Sequence, residues 1–318
     1  MKPCNNKPDI VVICGPTGIG KTASAIRLAQ KFNGEIISAD SMQIYKYMDI
    51  GTAKPSLEEQ AGVCHHLIDI IEPDENFDAA RFARIANKKV IQLYEKGIIP
   101  FVAGGTGMYI KALVYGMFKA EPVNPQIRRQ IKADAALLGS QVLHEQLNKY
   151  DPETAKKIHP NDTYRIIRAL EIYESTGKKI SEYHKQHRFS NERFNVLKIG
   201  LTMNREKLYN RINQRVDNMI DQGLEQEVRT LLNKGYSPDL KSMQSIGYRH
   251  MNDFIQKKIT KDETRLTMKR DTRRYAKRQF TWFGADMQII WTEPENIGNV
   301  EPLIKKFLQG ESIYTNYQ

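Results

Sequence analysis

The run Gly15-Pro16-Thr17-Gly18-Ile19-Gly20-Lys21-Thr22 fits the spacing G-x-x-x-x-G-K-[ST]. Glycines in such a run let the backbone curl, so that successive N–H groups point into one hollow at a helix N-terminus. The partial positive charge there favours phosphate oxygens. Lys21 adds a full positive charge. Thr22 offers a hydroxyl where a magnesium ion shared with a phosphate chain takes a ligand. The pattern implies phosphate binding, and leaves open which phosphate compound is bound.

Other stretches carry chemistry-bearing residues. Asp40 lies in the polar loop Ala39-Asp40-Ser41-Met42-Gln43 after a short apolar run, where a carboxylate can serve as general base or simply cap the next turn. Thr106, in Gly104-Gly105-Thr106-Gly107, can present its hydroxyl to a ligand or cap a helix. Between residues 261 and 283, arginines and lysines interleave with Tyr275, Phe280, Trp282 and Phe283, a mixture suited to phosphate contact and base stacking. The plainer alternative is a solvated helix with at least two of these aromatics in the core. His65 and His66 are adjacent, with no further His or Cys at metal-ligand spacing, so core or capping roles are expected rather than a metal site.

Parallel strands alternating with helices are the elements that would position these residues. Ile10–Cys14, Glu35–Ser38, Ile98–Ala103, Val196–Leu201 and Gln288–Trp291 read as buried strands, with Leu67–Ile71 a further short apolar run. Helices are predicted over Thr22–Phe32, Asp78–Lys96, Met108–Val114, Arg205–Gln222, Asp262–Phe280 and Val300–Leu308. The alternation argues a parallel sheet covered on both faces, whose ligands gather at the C-terminal ends of the strands. From Pro125 to Arg193 the chain is polar, helix-like and without a buried strand. The predicted organisation is therefore a core domain from 1–120 and 196–318 and a helical insertion domain at 121–195.

The 318 residues are 40% hydrophobic and 27% charged, the composition of a globular protein. No apolar run approaches the roughly 20 residues needed to span a bilayer, and the polar N-terminus is too short for a signal peptide, so a cytoplasmic location is expected. Three cysteines without C-x-x-C spacing suggest neither a disulfide framework nor a zinc site. Net charge is +11, and between Lys198 and Ala285 stand 19 Lys and Arg against 10 Asp and Glu. Such a local surplus is the footprint of a polyanionic partner.

Taken together, the segments Gly15–Thr22, Ile37–Pro55, His65–Asp69, Gly104–Ile110, Arg165–Glu171, Ile246–Arg249 and Tyr275–Phe283 resemble bacterial tRNA dimethylallyltransferases over nearly the whole chain. The resemblance implies an α/β, P-loop NTPase-like parallel sheet flanked by helices, with a helical insertion domain that contacts tRNA. It implies a prenyltransferase that moves a dimethylallyl group from dimethylallyl diphosphate to the N6 amine of the adenosine 3′ of the anticodon. Diphosphate is released, Mg2+ is the cofactor, and a monomer is expected.

By the same resemblance Asp40, Thr106 and Arg215 are catalytic and Gly15 to Thr22 hold the diphosphate, with Thr22 on the metal. The anticodon stem-loop of tRNA would meet Asp40, Ser41, Met42, Gln43, Thr106 and Arg128. Further expected contacts are Tyr164, Arg165, Ile166, Ile167 and Arg168, then Gln244, Ser245, Ile246, Gly247, Tyr248 and Arg249, and finally Lys277, Arg278, Gln279 and Trp282. One departure is visible: the family often has arginine after the Thr-Trp-Phe run, where this chain has Gly284. A P-loop small-molecule kinase, or transfer to free AMP, remain the alternative readings. The kinase leaves the basic C-terminal third without a role, and the polar insertion favours a macromolecular acceptor over AMP.

Overall fold

Five of the six residues of Asp9–Cys14 (β1) are buried, as a strand covered on both faces requires. The computed structural model describes residues 7–117, 124–187, 189 and 191–311. Among these, β1 lies inside a six-stranded sheet with Gly34–Ser38 (β2), His65–His66 (β3), Ile99–Gly104 (β4), Asn195–Leu201 (β5) and Ile289–Thr292 (β6). The spatial order is β3-β2-β4-β1-β5-β6, and every pairing is parallel. Helices cover the sheet, so the predicted α/β architecture holds.

The core beneath β1 and β5 joins Val11, Ile13, Leu28, Phe101, Leu197, Ile199, Leu208 and Ile212, drawn from strands and from the helices Lys21–Lys31 and Arg205–Asp221. Each fully buried aliphatic of this kind contributes roughly 2 kcal/mol. Helix starts follow the sequence signals. Asp78 caps Ala79–Glu95 by accepting from the Arg81 N–H, and Thr260 with Glu263 forms a capping box at Lys261–Gly284.

The run Leu67–Ile71 does not extend as a strand. Leu67 and Asp69 take positive φ, and β3 is confined to the two histidines. Lys54, whose amine reaches Asp49, Asp69 and the Tyr45 carbonyl, fastens this irregular stretch instead.

The chain divides into two compact units, Met1–Val114 with Glu192–Gln318, and Tyr115–Asn191. The second unit begins and ends a few residues earlier than 121–195. Its described residues form helices Pro125–Leu138, Ser140–Tyr150, Pro152–Ala155, Thr163–Thr176 and Ile180–His187. They close on a small core that includes Ile131, Leu143, Leu147, Ile166 and Leu170. No described helix in either unit is long and apolar enough to cross a membrane.

Candidate active site

Strand register brings the chemistry-bearing loops together. Cys14 at the end of β1 pairs with Gly104 of β4 and Gly200 of β5, while Ser38 at the end of β2 pairs with Ala103. The loops that follow β1, β2 and β4 therefore leave the sheet from neighbouring points on one edge, where ligands bind in open parallel sheets. These are the Gly15–Thr22 loop, the Asp40 loop and the Thr106 turn.

In the first loop Gly20 adopts φ 103° and ψ 24° at the cap of Lys21–Lys31, a left-handed conformation that favours glycine. No side chain caps this helix, so its first N–H groups stay open to a ligand. Lys21 Nζ folds over the loop to donate to the Pro16 carbonyl at 2.8 Å. The loop is tied from outside as well: the Thr17 N–H donates to Gln279 Oε1, and Gln279 Nε2 donates to the Gly105 carbonyl, both at 2.8 Å.

The Asp40 loop is fixed from two directions. The Ala39 N–H donates to Ala103 O at 2.8 Å, and the Thr106 N–H donates back to Ala39 O at 3.2 Å. The approach is so close that a Cβ on Gly104 would stand 2.2 Å from the Ala39 oxygen. Thr106 does cap Gly107–Tyr115, but through its carbonyl, which accepts from Tyr109. Its hydroxyl is turned instead to the Asp40 loop, accepting from the Ser41 N–H at 3.0 Å.

Asp40 Oδ1 accepts from the Met42 and Gln43 N–H groups, at 2.8 and 3.4 Å. The capping reading is thus true of one oxygen, while Oδ2 takes no hydrogen bond among the described residues. The Gln43 carboxamide is committed internally, accepting from Ser38 Oγ and donating to Ala53 O.

Charge distinguishes this corner of the molecule. Burial pushes the Lys21 amine down to about 8, with Asp40 opposing the shift and Arg215 adding to it. Burial likewise lowers Arg215, again opposed by Asp40. Tyr275, hydrogen-bonded to Thr106, is pushed up to about 12 by burial and then by Asp40. Two partly desolvated cations thus share one carboxylate, and an arrangement with surplus positive charge in a half-buried hollow favours a multiply charged anion. Arg211 belongs with them: its guanidinium lies 3.6 Å from where a Cβ on Gly20 would sit. Sequence reading missed it, although its i, i+4 spacing from Arg215 puts both on one helix face.

A second layer holds the loop beyond Asp40. Glu227 Oε2 accepts from the N–H groups of Asp49 and Ile50, at 2.8 and 2.7 Å, and Oε1 accepts from the Gly51 N–H and the Tyr248 hydroxyl, at 3.1 and 2.6 Å. Glu227→Ala strands three backbone donors and a phenol at once. Its expected cost is on the order of 3 kcal/mol of folding stability. Chemical denaturation measures this, and an unchanged unfolding midpoint would show that the loop holds without Glu227.

The structure divides the remaining predicted residues by exposure. Tyr248 is fully buried and Gln279 nearly so, which makes both internal supports rather than surface contacts. In the second unit Ile166 is also fully buried and Ile167 nearly so. Tyr164 is 67% exposed, and Arg165, Arg128 and Arg168 also reach solvent. The last two flank the buried carboxylate of Glu171, with Arg128 Nε 3.5 Å from Oε2.

Much of the basic helix is neutralised at home. Asp217 takes Arg265 and Lys269, while Asp271 takes Arg249, Arg270 and Arg274. Lys277 and Arg278 stay exposed, as does Trp282, whose indole packs over Gly107. Phe283 is buried and Phe280 is packed against the core, so two of the four aromatics are structural. A shallow concavity of about 610 Å³ is lined by Asn204, Arg205, Tyr209, Asn213 and Arg273 among others, and contains none of the predicted residues.

Residues 43–286 match the family model described as IPP transferase. The chain belongs to the IPP transferase family. It is similar to the tRNA dimethylallyltransferase of Desulfosudis oleivorans, 50% identical over 96% of this chain and 98% of that one. Among solved structures it is similar to the full-length tRNA isopentenylpyrophosphate transferase of Bacillus halodurans, at 41% identity and a TM-score of 0.72, covering 95% of this chain and 97% of that one. It is also similar to a eukaryotic dimethylallyltransferase solved acting on tRNA, at 30% identity and a TM-score of 0.80, covering 97% of this chain and 81% of that one.

Proposed function

We propose that this protein is a tRNA dimethylallyltransferase: it moves a dimethylallyl group from dimethylallyl diphosphate to the N6 amine of the adenosine 3′ of the anticodon and releases diphosphate. The names of its relatives, tRNA dimethylallyltransferases, support tRNA as the acceptor. The observation that carries the finer reading is the convergence of Lys21, Arg215 and Asp40 above the ends of β1, β2 and β4.

In this reading the open N–H groups of the Gly15–Thr22 loop, Lys21, Arg215 and Arg211 bind the diphosphate and stabilise charge as the allylic C–O bond breaks. The amine nitrogen attacks the allylic carbon. Asp40 Oδ2, the oxygen not spent on its own loop, accepts the departing N–H proton. An adenine amine is a weak nucleophile, so holding it in line with the allylic carbon supplies much of the rate. Thr106 and Tyr275 line that approach, and reaching it requires the base to leave its stack.

Thr22 Oγ1 takes no hydrogen bond among the described residues, and a hydroxyl beside a phosphate cradle suits magnesium, which prefers oxygen donors. Such an ion, held by Thr22 and the diphosphate, would supply further charge neutralisation on the leaving group. Tyr164, Arg165, Arg128 and Arg168 of the second unit, with Gln244, Arg249, Lys277, Arg278 and Trp282 of the first, are the proposed side-chain contacts to tRNA. The enzyme is expected to act as a cytoplasmic monomer.

Incubation with labelled dimethylallyl diphosphate, magnesium and unmodified tRNA tests the proposal. Label on the expected adenosine supports it. Label on AMP alone, or ADP formed from ATP with a small acceptor, would instead favour one of the alternatives.

Lys21 also predicts a pH dependence. Its charged form is lost as pH rises through about 8, so the KM for the donor should climb above that pH. In the ligand-free protein the unfolded chain holds more protons than the folded one between about 8 and 10.5. Through this window the Lys21 contribution to folding stability therefore rises with pH. A donor KM flat across the window would remove Lys21 from diphosphate binding.

A further inference from the structure

The edge of the sheet farthest from β6 holds a cluster that the prenyl-transfer chemistry does not use. Parallel pairing of β2 with β3 puts Ile36 opposite His65 and Ile37 opposite His66, and the Ile36 N–H donates to Cys64 O at 2.9 Å. Glu35, Cys64 and His66 consequently stand on one face of the sheet, each with one donor atom within 4.8 Å of the other two. His66 Nε2 lies 2.6 Å from Glu35 Oε2 and 3.7 Å from Cys64 Sγ. Glu35 is near the start of β2, whereas Asp40 follows its other end, so the cluster is separate from the phosphate loop.

We propose that Glu35, Cys64 and His66 bind one divalent cation of the zinc class. A tetrahedral ion with bonds of about 2.3 Å to sulfur and about 2.0 Å to nitrogen and oxygen needs an N–S edge of about 3.6 Å and an N–O edge of about 3.3 Å. The Cys64–His66 separation already matches. The carboxylate must draw back from His66 by roughly 0.7 Å to reach that N–O edge, a small motion for a side chain 25% exposed. Cys64 is exposed, so the fourth position opens to solvent and suits a water ligand.

Binding forms the metal–sulfur, metal–nitrogen and metal–oxygen bonds, releases the thiol proton to solvent, breaks the His66–Glu35 hydrogen bond and moves the His66 proton from Nε2 to Nδ1, which frees the Nε2 lone pair for the metal. A set of thiolate, imidazole and carboxylate selects zinc-like ions over magnesium. Sequence spacing concealed the site because its oxygen ligand arrives from a different strand.

The test is titration of metal-stripped Cys4→Ser protein with Co2+, followed by its thiolate-to-metal charge-transfer absorption, and then displacement by Zn2+. One equivalent per chain with a thiolate band is expected. Cys64→Ser should abolish the band, Glu35→Gln should weaken binding tenfold or more, and excess Mg2+ should leave it intact. Cys14 is buried with its thiol pushed up to about 12, so it does not compete. Because Cys64 is exposed, its replacement leaves the fold in place, which circular dichroism checks. Absence of saturable Co2+ binding, or a thiolate band unchanged in Cys64→Ser, overturns the proposal.

Discussion

Asp40→Asn should lower the rate of prenyl transfer on the order of 100-fold or more, the loss expected when a general base is removed, while tRNA affinity stays near that of the parent. Asparagine is the informative replacement. Its side-chain carbonyl can still accept from the Met42 and Gln43 N–H groups, as Asp40 Oδ1 does, so the loop keeps its shape and only the proton acceptor is lost. Single-turnover transfer with saturating donor, beside a direct tRNA binding measurement, separates the two effects. Near-normal turnover would leave Asp40 as a turn cap alone. A parallel collapse of tRNA binding would assign it to recognition.

Lys21→Met should lower kcat/KM for dimethylallyl diphosphate by about 100- to 1000-fold, the scale seen when one preorganised donor to a developing anion is removed. Methionine keeps the length of the stem but removes the charge. The native amine costs folding free energy, because burial lowers its pKa while only Asp40 and, weakly, Cys14 oppose that. The same substitution should therefore leave ligand-free stability unchanged or raised. Loss of activity with no loss of stability is the signature of a lysine held for a ligand. If stability fell with activity, Lys21 would instead be a structural tie, through its bond to the Pro16 carbonyl. Steady-state kinetics with varied donor and a denaturation curve decide between them.

Several features were legible in the chain itself because their causes are local. The apolar run before Gly15, the glycines and the lysine fix a strand, a turn and a helix within a few residues of one another. The helix cap at Asp78 and the polar helical stretch of the second unit were likewise readable, since caps and periodicity act over one or two turns. For the apolar run Leu67–Ile71 apolar content alone did not decide the local structure, since it does not reveal the positive φ at Leu67 and Asp69.

What stayed hidden depends on partners far apart in sequence. Gln279 stands 262 residues from Thr17 and 174 from Gly105, yet its one carboxamide ties both loops. Glu227 holds a loop that begins 178 residues before it. The surplus of Lys and Arg was countable, but only helix packing shows that Asp217 and Asp271 absorb much of it and leave Lys277 and Arg278 outward.

The amino-acid sequence by itself determined a glycine-rich loop, the proposed phosphate cradle, on a strand–turn–helix unit and the parallel α/β order around it, because a backbone that curls at glycine and a period of apolar residues need no distant partner. Only the tertiary structure decided what the cradle faces. Strand register set Asp40 and Thr106 beside it, and helix packing turned Arg215 and Arg211 toward it. Long-range pairing selects one arrangement through burial and hydrogen-bond satisfaction summed over the whole core, and no local run of residues carries that sum.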